Sequence, residues 1–287
     1  MTTYRPRRSV LYLPASNARA LEKARTLPCD AVILDLEDAV APDAKDAARE
    51  AAVAAVREGG FGRRELAIRV NGVGTQWHEA DLEAACAAGP DAIVVPKVES
   101  ARAVFELADA MDRHGAPHHT TLWAMVETPR AVLHAVEIAD ASDRLTVLVL
   151  GTNDLVKELD VEHVPGRLPL QTALSLVVLG AKAAGVAVLD GVYNDLTDAD
   201  GYLAECRQGR ALGFDGKTLI HPKQVEAANE TYAPSAEAVE DARALLEAWH
   251  AAAGAGVVTF RGRMVENLHV ATAERVLAVH EAIAALE

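Results

Sequence analysis

The chain predicts an α/β fold of the (β/α)8 barrel class, and three observations predict it. Short apolar runs with strand character alternate with helical stretches, and eight such pairs follow one another. A length of 287 residues suits eight pairs and a tail. The composition is aliphatic, with 51% hydrophobic residues but only 4% aromatics, as expected for parallel strands covered by helices. Period and length do not show closure, so an open, doubly wound sheet is the other architecture. That alternative favours a glycine-rich phosphate loop after the first strand, and Leu13-Pro-Ala-Ser-Asn-Ala-Arg19 contains no GxGxxG.

The strands are expected at 9–14, 31–36, 66–71, 92–96, 122–127, 146–151, 186–190 and 217–220. The helices between and after them are expected at 17–27, 43–58, 76–88, 100–114, 129–140, 168–184, 197–213 and 223–230. The barrel is thus assigned to residues 1–231. Beyond it, Pro234 and Ser235 start an alanine-rich helix, Gly254-Ala-Gly256 breaks it, and Val257-Val-Thr-Phe260 reads as a short strand. Arg261-Gly-Arg263 then turns into a final amphipathic helix at 267–286. A tail of this size cannot form its own core, so 232–287 is expected to be an extension that packs on the barrel or on a neighbouring subunit.

A net charge of −14 argues against nucleic acid as a partner, because neutralising phosphates needs excess Lys and Arg. Cys29, Cys86 and Cys206 are far apart and form no CxxC or Cys/His cluster, so zinc is not expected and a reduced, cytoplasmic setting is. No apolar run approaches the roughly 20 residues that span a bilayer, and the first strand is too short for a signal sequence.

The chemistry is expected where charges follow apolar runs, because a charge at a buried strand end is costly unless paired or bound to metal. Leu122-Trp-Ala-Met-Val126 delivers Glu127, and Thr146-Val-Leu-Val-Leu150 delivers Gly151-Thr-Asn-Asp154. Glu127 and Asp154 are the metal candidates, because Mg2+ uses one or two carboxylates and leaves positions for water and substrate oxygens. Either acid alone could be a helix cap. The N–H groups of Gly151, Thr152 and Asn153, near a helix start, are a place for a substrate carboxylate. Arg69, in Leu66-Ala-Ile-Arg-Val-Asn71, needs an anion, either a substrate carboxylate or a salt bridge to Asp35, Glu37 or Asp38. Strand alternation sends Asp35 and Glu37 to one face and Asp38 to the other. These three acids are catalytic candidates that hold metal-bound water, or partners of Arg69 or Lys97; the plain alternative is a solvated turn capped by Asp38. Lys97 is an electrostatic stabiliser, a Schiff-base amine or an ion-pair partner. His221 is a base or a turn-fixing residue.

At these residues the chain resembles the citrate lyase β-subunit-like proteins of the HpcH/HpaI aldolase superfamily. The resemblance rests on Arg8-Ser-Val-Leu-Tyr-Leu-Pro14, Asp30-Ala-Val-Ile-Leu-Asp-Leu-Glu-Asp-Ala-Val40, Arg69-Val-Asn71, Val95-Pro-Lys97, Glu127-Thr128, Gly151-Thr-Asn-Asp-Leu155, Asp190-Gly-Val-Tyr193 and Gly213-Phe-Asp-Gly-Lys-Thr-Leu-Ile-His-Pro222. It implies a TIM barrel holding Mg2+ through Glu127 and Asp154, with Arg69 on the carboxylate of an oxo acid. It implies carbon–carbon lyase activity on a malyl-, citramalyl- or citryl-type CoA thioester, giving an acyl-CoA and a 2-oxo acid. The alternatives are a thioesterase, a class II pyruvate aldolase without CoA, or a non-catalytic oxo-acid binder. It further implies a homotrimer in which the C-terminal segment covers a neighbour's mouth and brings an acid to the thioester. Here that acid is Glu266, in Gly262-Arg-Met-Val-Glu266, where relatives carry Asp. Ser16, Arg19 and Lys23 fall on the segment assigned to CoA, next to Ala15, where relatives often carry Gly.

Overall fold

The computed structural model describes residues 4–252 and 256–286. It divides into two compact units: Arg7–Thr231, and a second built from the stretch up to Pro6 together with the C-terminal segment from Tyr232.

In the first unit eight parallel strands close in sequence order: β1 Ser9–Pro14, β2 Ala31–Asp35, β3 Glu65–Arg69, β4 Ala92–Val95, β5 Thr121–Val126, β6 Leu145–Leu150, β7 Ala187–Asp190 and β8 Gly216–Leu219. β1 pairs with both β2 and β8, which rules out the open sheet. The outer layer is α1 Ala18–Ala24, α2 Lys45–Glu58, α3 His78–Ala88, α4 Ala101–Arg113, α5 Pro129–Leu133, α6 Ala135–Ala139, α7 Thr152–Leu159, α8 Gln171–Ala184, α9 Ala199–Leu212 and α10 Val225–Tyr232. The single helix expected at 129–140 is broken at His134, whose Nδ1 lies 3.0 Å from the Glu99 carbonyl. Beside the break, Gly180 of α8 packs so close that a Cβ there would lie 2.8 Å from the Val136 nitrogen. Of the eight-residue helix α7 only a start near Gly151-Thr-Asn-Asp154 was expected, not its full run.

The barrel is filled from alternate positions. Val10 and Tyr12, Ala31 and Ile33, Ala67, Ala92 and Val94, Trp123 and Met125, Val147 and Val149, and Ala187 and Leu189 form its interior. Strand side chains alternate with a period of two. Carried one step further along the chain, the inward series reaches Asp35, Arg69, Glu127 and Gly151, all at the C-terminal mouth. The barrel therefore aims these four positions at one place.

In the second unit α11 Ala236–Ala251 is capped by Ser235, and α12 spans Asn267–Leu286. The helix break proposed at Gly254 lies outside the described residues. β9 Val258–Phe260 pairs with β10 Arg263–Val265, a strand not expected. Arg261 and Gly262 both have positive φ, 47° and 75°, as a two-residue hairpin turn of this hand requires.

Candidate active site

β2 and β3 lie side by side with Asp35 opposite Arg69. The Arg69 guanidinium is locked there: Nε and Nη2 donate to Asp35 Oδ1 and Oδ2 at 2.6 and 2.7 Å. A bidentate pair of this kind fixes direction as well as charge. Nη1 remains, with Glu37 Oε2 at 2.8 Å. β2 ends at Asp35, whose two oxygens also accept N–H bonds from Glu37 and Ala39. This turn abolishes the alternation expected beyond the strand. Asp38 is not sent to the opposite face but lies 3.8 Å from Arg69, with its side chain largely exposed. Lys45, which sequence reasoning missed, donates to the Leu36 and Glu37 carbonyls and to Asn71 Oδ1, and so holds the acidic loop from behind. Burial pushes the Glu37 carboxyl up to about 7 despite Arg69, and Asp38 and Asp35 add to the rise.

Glu127 is 2% exposed at the end of β5. Its Oε1 accepts the Lys97 backbone N–H at 2.8 Å. Lys97 reaches that position with a left-handed φ of 53°, a strain that tends to persist where the surroundings over-determine it. Burial, then Asp154 and Glu37, push the Glu127 carboxyl up to about 8. Glu127 and Asp154 both line a mouth cavity of about 280 Å³ that also includes Tyr12, Asp35, Arg69 and Met125. Two mutually repelling carboxylates, one buried and one partly open to water, fit a hard divalent cation that keeps several waters. Among the described residues no group of three or more His, Cys, Asp or Glu could hold a metal, so a zinc-type cage does not fit. Gly151 makes room for the first acid: a Cβ there would lie 2.4 Å from Glu127 Oε2. Gly151→Ala is expected to weaken cation binding about 10- to 100-fold, the usual cost of disturbing a ligand's support, while the circular dichroism of the fold persists. A cation titration of the variant checks this.

Gly151 starts α7 with no side-chain cap. The N–H groups of the first turn of a helix lack internal acceptors and suit an anion. Gly151, Thr152, Asn153 and Asp154 all line the cavity, so the expected carboxylate seat and the acids share one wall. Lys97 Nζ lies 3.2 Å from Asp154 Oδ1. Burial alone would depress its pKa, but the bond to Asp154 and the charges of Asp154, Glu127 and Glu37 outweigh it and raise the value. In this geometry Lys97 stands as an ion-pair partner of Asp154. His221 fixes a turn: its Nδ1 accepts the Lys223 N–H at 3.1 Å.

Ser16, Arg19 and Lys23 are exposed on the β1–α1 segment and do not line this cavity. Ala15 is fully buried, with its N–H on the Asp35 carbonyl and its φ outside the left-handed region, so its methyl is accommodated without strain. Glu266 belongs to the second unit, where its carbonyl accepts the first bonds of α12 and its N–H donates to His269 Nδ1 at 3.1 Å. Sequence reasoning also missed a charge network between the barrel and its helices. Lys217 Nζ meets Asp190 Oδ2 at 3.2 Å and Glu205 Oε1 at 2.7 Å, and Arg167 reaches Asp190 at 2.7 Å. Asp190 and Lys217 sit at strand positions of outward parity, a signal that they need partners outside the barrel.

Comparison with known proteins identifies the family. The sequence model of the family described as HpcH/HpaI aldolase/citrate lyase matches residues 8–222. The chain is 49% identical to a (3S)-malyl-CoA thioesterase of Cereibacter sphaeroides (strain ATCC 17025 / ATH 2.4.3) over 282 residues, 98% of this chain and 96% of that one. It is 37% identical to the citrate lyase subunit beta of Escherichia coli (strain K12), covering 95% of this chain and 93% of that one. Among solved structures it resembles protein CitE from Mycobacterium tuberculosis in complex with magnesium, acetoacetate and coenzyme A. That match has a TM-score of 0.76 and 33% identity and covers 94% of this chain and 96% of that one. A closed eight-stranded barrel, a carboxylate pair at its mouth and full-length similarity at this level place the chain in the HpcH/HpaI aldolase/citrate lyase family.

Proposed function

We propose that the chain is a Mg2+-dependent enzyme acting on a CoA thioester of a short 3-hydroxy acid, of the malyl type. The observation that carries the reading is the wall formed by Glu127, Asp154 and the start of α7, facing an Arg69 immobilised by Asp35. Glu127 and Asp154 would hold Mg2+, which would supply Lewis acidity to the acid half of the substrate. Arg69 Nη1 and the first N–H groups of α7 orient that carboxylate. Lys97 balances the charge of Asp154. The structural relative described with magnesium, acetoacetate and coenzyme A supports the same ligand classes.

Hydrolysis is the preferred outcome, because the similarity to the thioesterase is 49% over nearly the whole chain. In that reaction water adds to the thioester carbonyl, the carbon–sulfur bond breaks, and a free carboxylate, CoA thiol and one proton leave. Carbon–carbon cleavage to acetyl-CoA and a 2-oxo acid is the second reading, favoured by the 37% identity to a citrate lyase β subunit. In either, Glu266 moves the proton, supplied by a neighbouring copy in a homotrimer whose residues 232–287 act as an extension over the mouth. Ser16, Arg19 and Lys23 meet the CoA. The three free, buried cysteines fit a cytoplasmic setting. No helix among the described residues is long and apolar enough to cross a membrane.

With purified protein, Mg2+ and (S)-malyl-CoA, the expected products are malate and free CoA. Glyoxylate and acetyl-CoA would select the second reading, and no conversion of the thioester would overturn both.

A further inference from the structure

Tyr12 stands on β1 at the inward parity shared by Asp35 and Arg69 on the next two strands. Its ring centroid lies 4.8 Å from Arg69 Cζ, the stacking a guanidinium favours over an aromatic face. Its hydroxyl has an unusual neighbour. Tyr12 Oη approaches Met125 Sδ at 3.8 Å, and Arg69 Nη1 approaches the same sulfur at 3.9 Å. A thioether is a weak acceptor, whereas a phenol and a guanidinium are strong donors. The two donors thus converge on one spot, and among the described residues the acceptor they share there is sulfur. Arg69 Nη1 has Glu37 besides, whereas the phenol hydroxyl meets the sulfur. Tyr12, Arg69 and Met125 all line the mouth cavity that holds Glu127 and Asp154.

We propose that Tyr12 is a substrate-binding residue: its hydroxyl donates, beside Arg69 Nη1, to a carboxylate oxygen of the acid half seated over Met125. This rests on the reading of the mouth as a short hydroxy- or oxo-acid site and adds a second donor to it. The ring keeps Arg69 flat against the wall, and the hydroxyl completes a two-donor seat that an anionic oxygen fills better than sulfur does. Burial raises the Tyr12 pKa against the pull of Arg69, so the phenol keeps its proton and acts as a donor over the working pH range. The seat selects a charged carboxylate over its neutral amide, because only the anion accepts strongly from both groups.

Tyr12→Phe tests this, since it keeps the ring on Arg69 and removes only the hydroxyl. Pyruvate serves as a stable 2-oxo acid probe, titrated calorimetrically in the presence of Mg2+, and Mg2+ is titrated separately without the acid. The expected result is a pyruvate Kd raised about tenfold or more, the usual loss for a hydrogen bond to a charged group, with Mg2+ affinity and the thermal transition held near wild type. An unchanged pyruvate Kd in the variant, with the wild type binding normally, overturns the role of Tyr12 and leaves the function reading standing. A parallel fall in Mg2+ affinity overturns it too, because it would make Tyr12 a support of the wall rather than a donor. A wild type that binds no pyruvate with Mg2+ overturns the inference together with the reading it rests on.

Discussion

Glu127→Gln should abolish Mg2+-dependent turnover, lowering kcat/KM by about 10³ or more, which corresponds to about 4 kcal/mol of transition-state stabilisation. The substitution keeps the shape of a side chain that is 2% exposed and keeps an oxygen for the Lys97 N–H, so the loss isolates the charge. Its pH signature follows from the direction of the shift. Burial first, then Asp154 and Glu37, push the Glu127 carboxyl from 4.5 up to about 8 in the cation-free protein. A folded-state value above the unfolded one means the carboxyl's contribution to stability is fully present below about 4.5. It is lost as pH rises through about 8. A cation reverses that loss, but at neutral pH it must first displace the proton. Cation affinity should therefore climb by up to about tenfold per pH unit below 8 and flatten above it. Calorimetric titrations at about pH 6.5 and about pH 8.5 check this, with proton release per cation larger at the lower value. The Gln variant should bind weakly at both. Wild-type turnover that survives complete chelation would sink the assignment of both acids.

What the amino-acid order reveals depends on whether the determining partner is close in the chain. The barrel strands read well because burial on both faces leaves runs such as Ala31-Val-Ile-Leu34 with no polar residue to confuse them. The mouth residues read well for the complementary reason: Arg69, Glu127 and Asp154 each follow such a run, and a charge there must be explained. Tyr12 did not, because an aromatic in a strand reads as core, and only the closed barrel places it over Arg69. Lys97 was open to three readings, and its backbone N–H proved as informative as its amine, through a φ of 53° that no pattern announces. Asp38 was sent to the wrong face because alternation was carried past Asp35, where two N–H bonds to the Asp35 carboxylate end the strand. Arg167 follows Pro165 and Gly166 in a stretch with no period, and its partners Asp190 and Glu205 come from a strand and a helix much later in the chain.

Lys217→Met should destabilise the barrel unit by about 3–5 kcal/mol, a fall in Tm on the order of 10 °C. Lys217 is fully buried, and its ammonium bridges Asp190, Glu205 and the Gly191 carbonyl. Removing it leaves Arg167 alone to balance Asp190 and Glu205, and an uncompensated buried carboxylate costs more than the lost contact. In the intact protein burial would raise the Asp190 pKa, but Lys217 and Arg167 overcome it and hold the value low. A depressed folded-state value means that this contribution is present above the ordinary carboxylate range and is lost as pH falls through the lowered one. The Met variant should therefore lose its deficit relative to wild type at strongly acid pH, where Asp190 is neutral in both. Urea denaturation near neutral pH and again in acid checks this, and a deficit that does not shrink would place the cost in packing. The network also reaches the mouth. Lys217 holds the Gly191 carbonyl at 2.6 Å, and Gly191 packs so tightly on Thr152 that a Cβ would lie 2.5 Å from its Oγ1. Thr152 opens α7, so a relaxed Gly191 should loosen the helix start that Asp154 occupies. The variant should accordingly bind Mg2+ more weakly even under conditions where it is fully folded, which separates the network's effect on the site from its effect on stability.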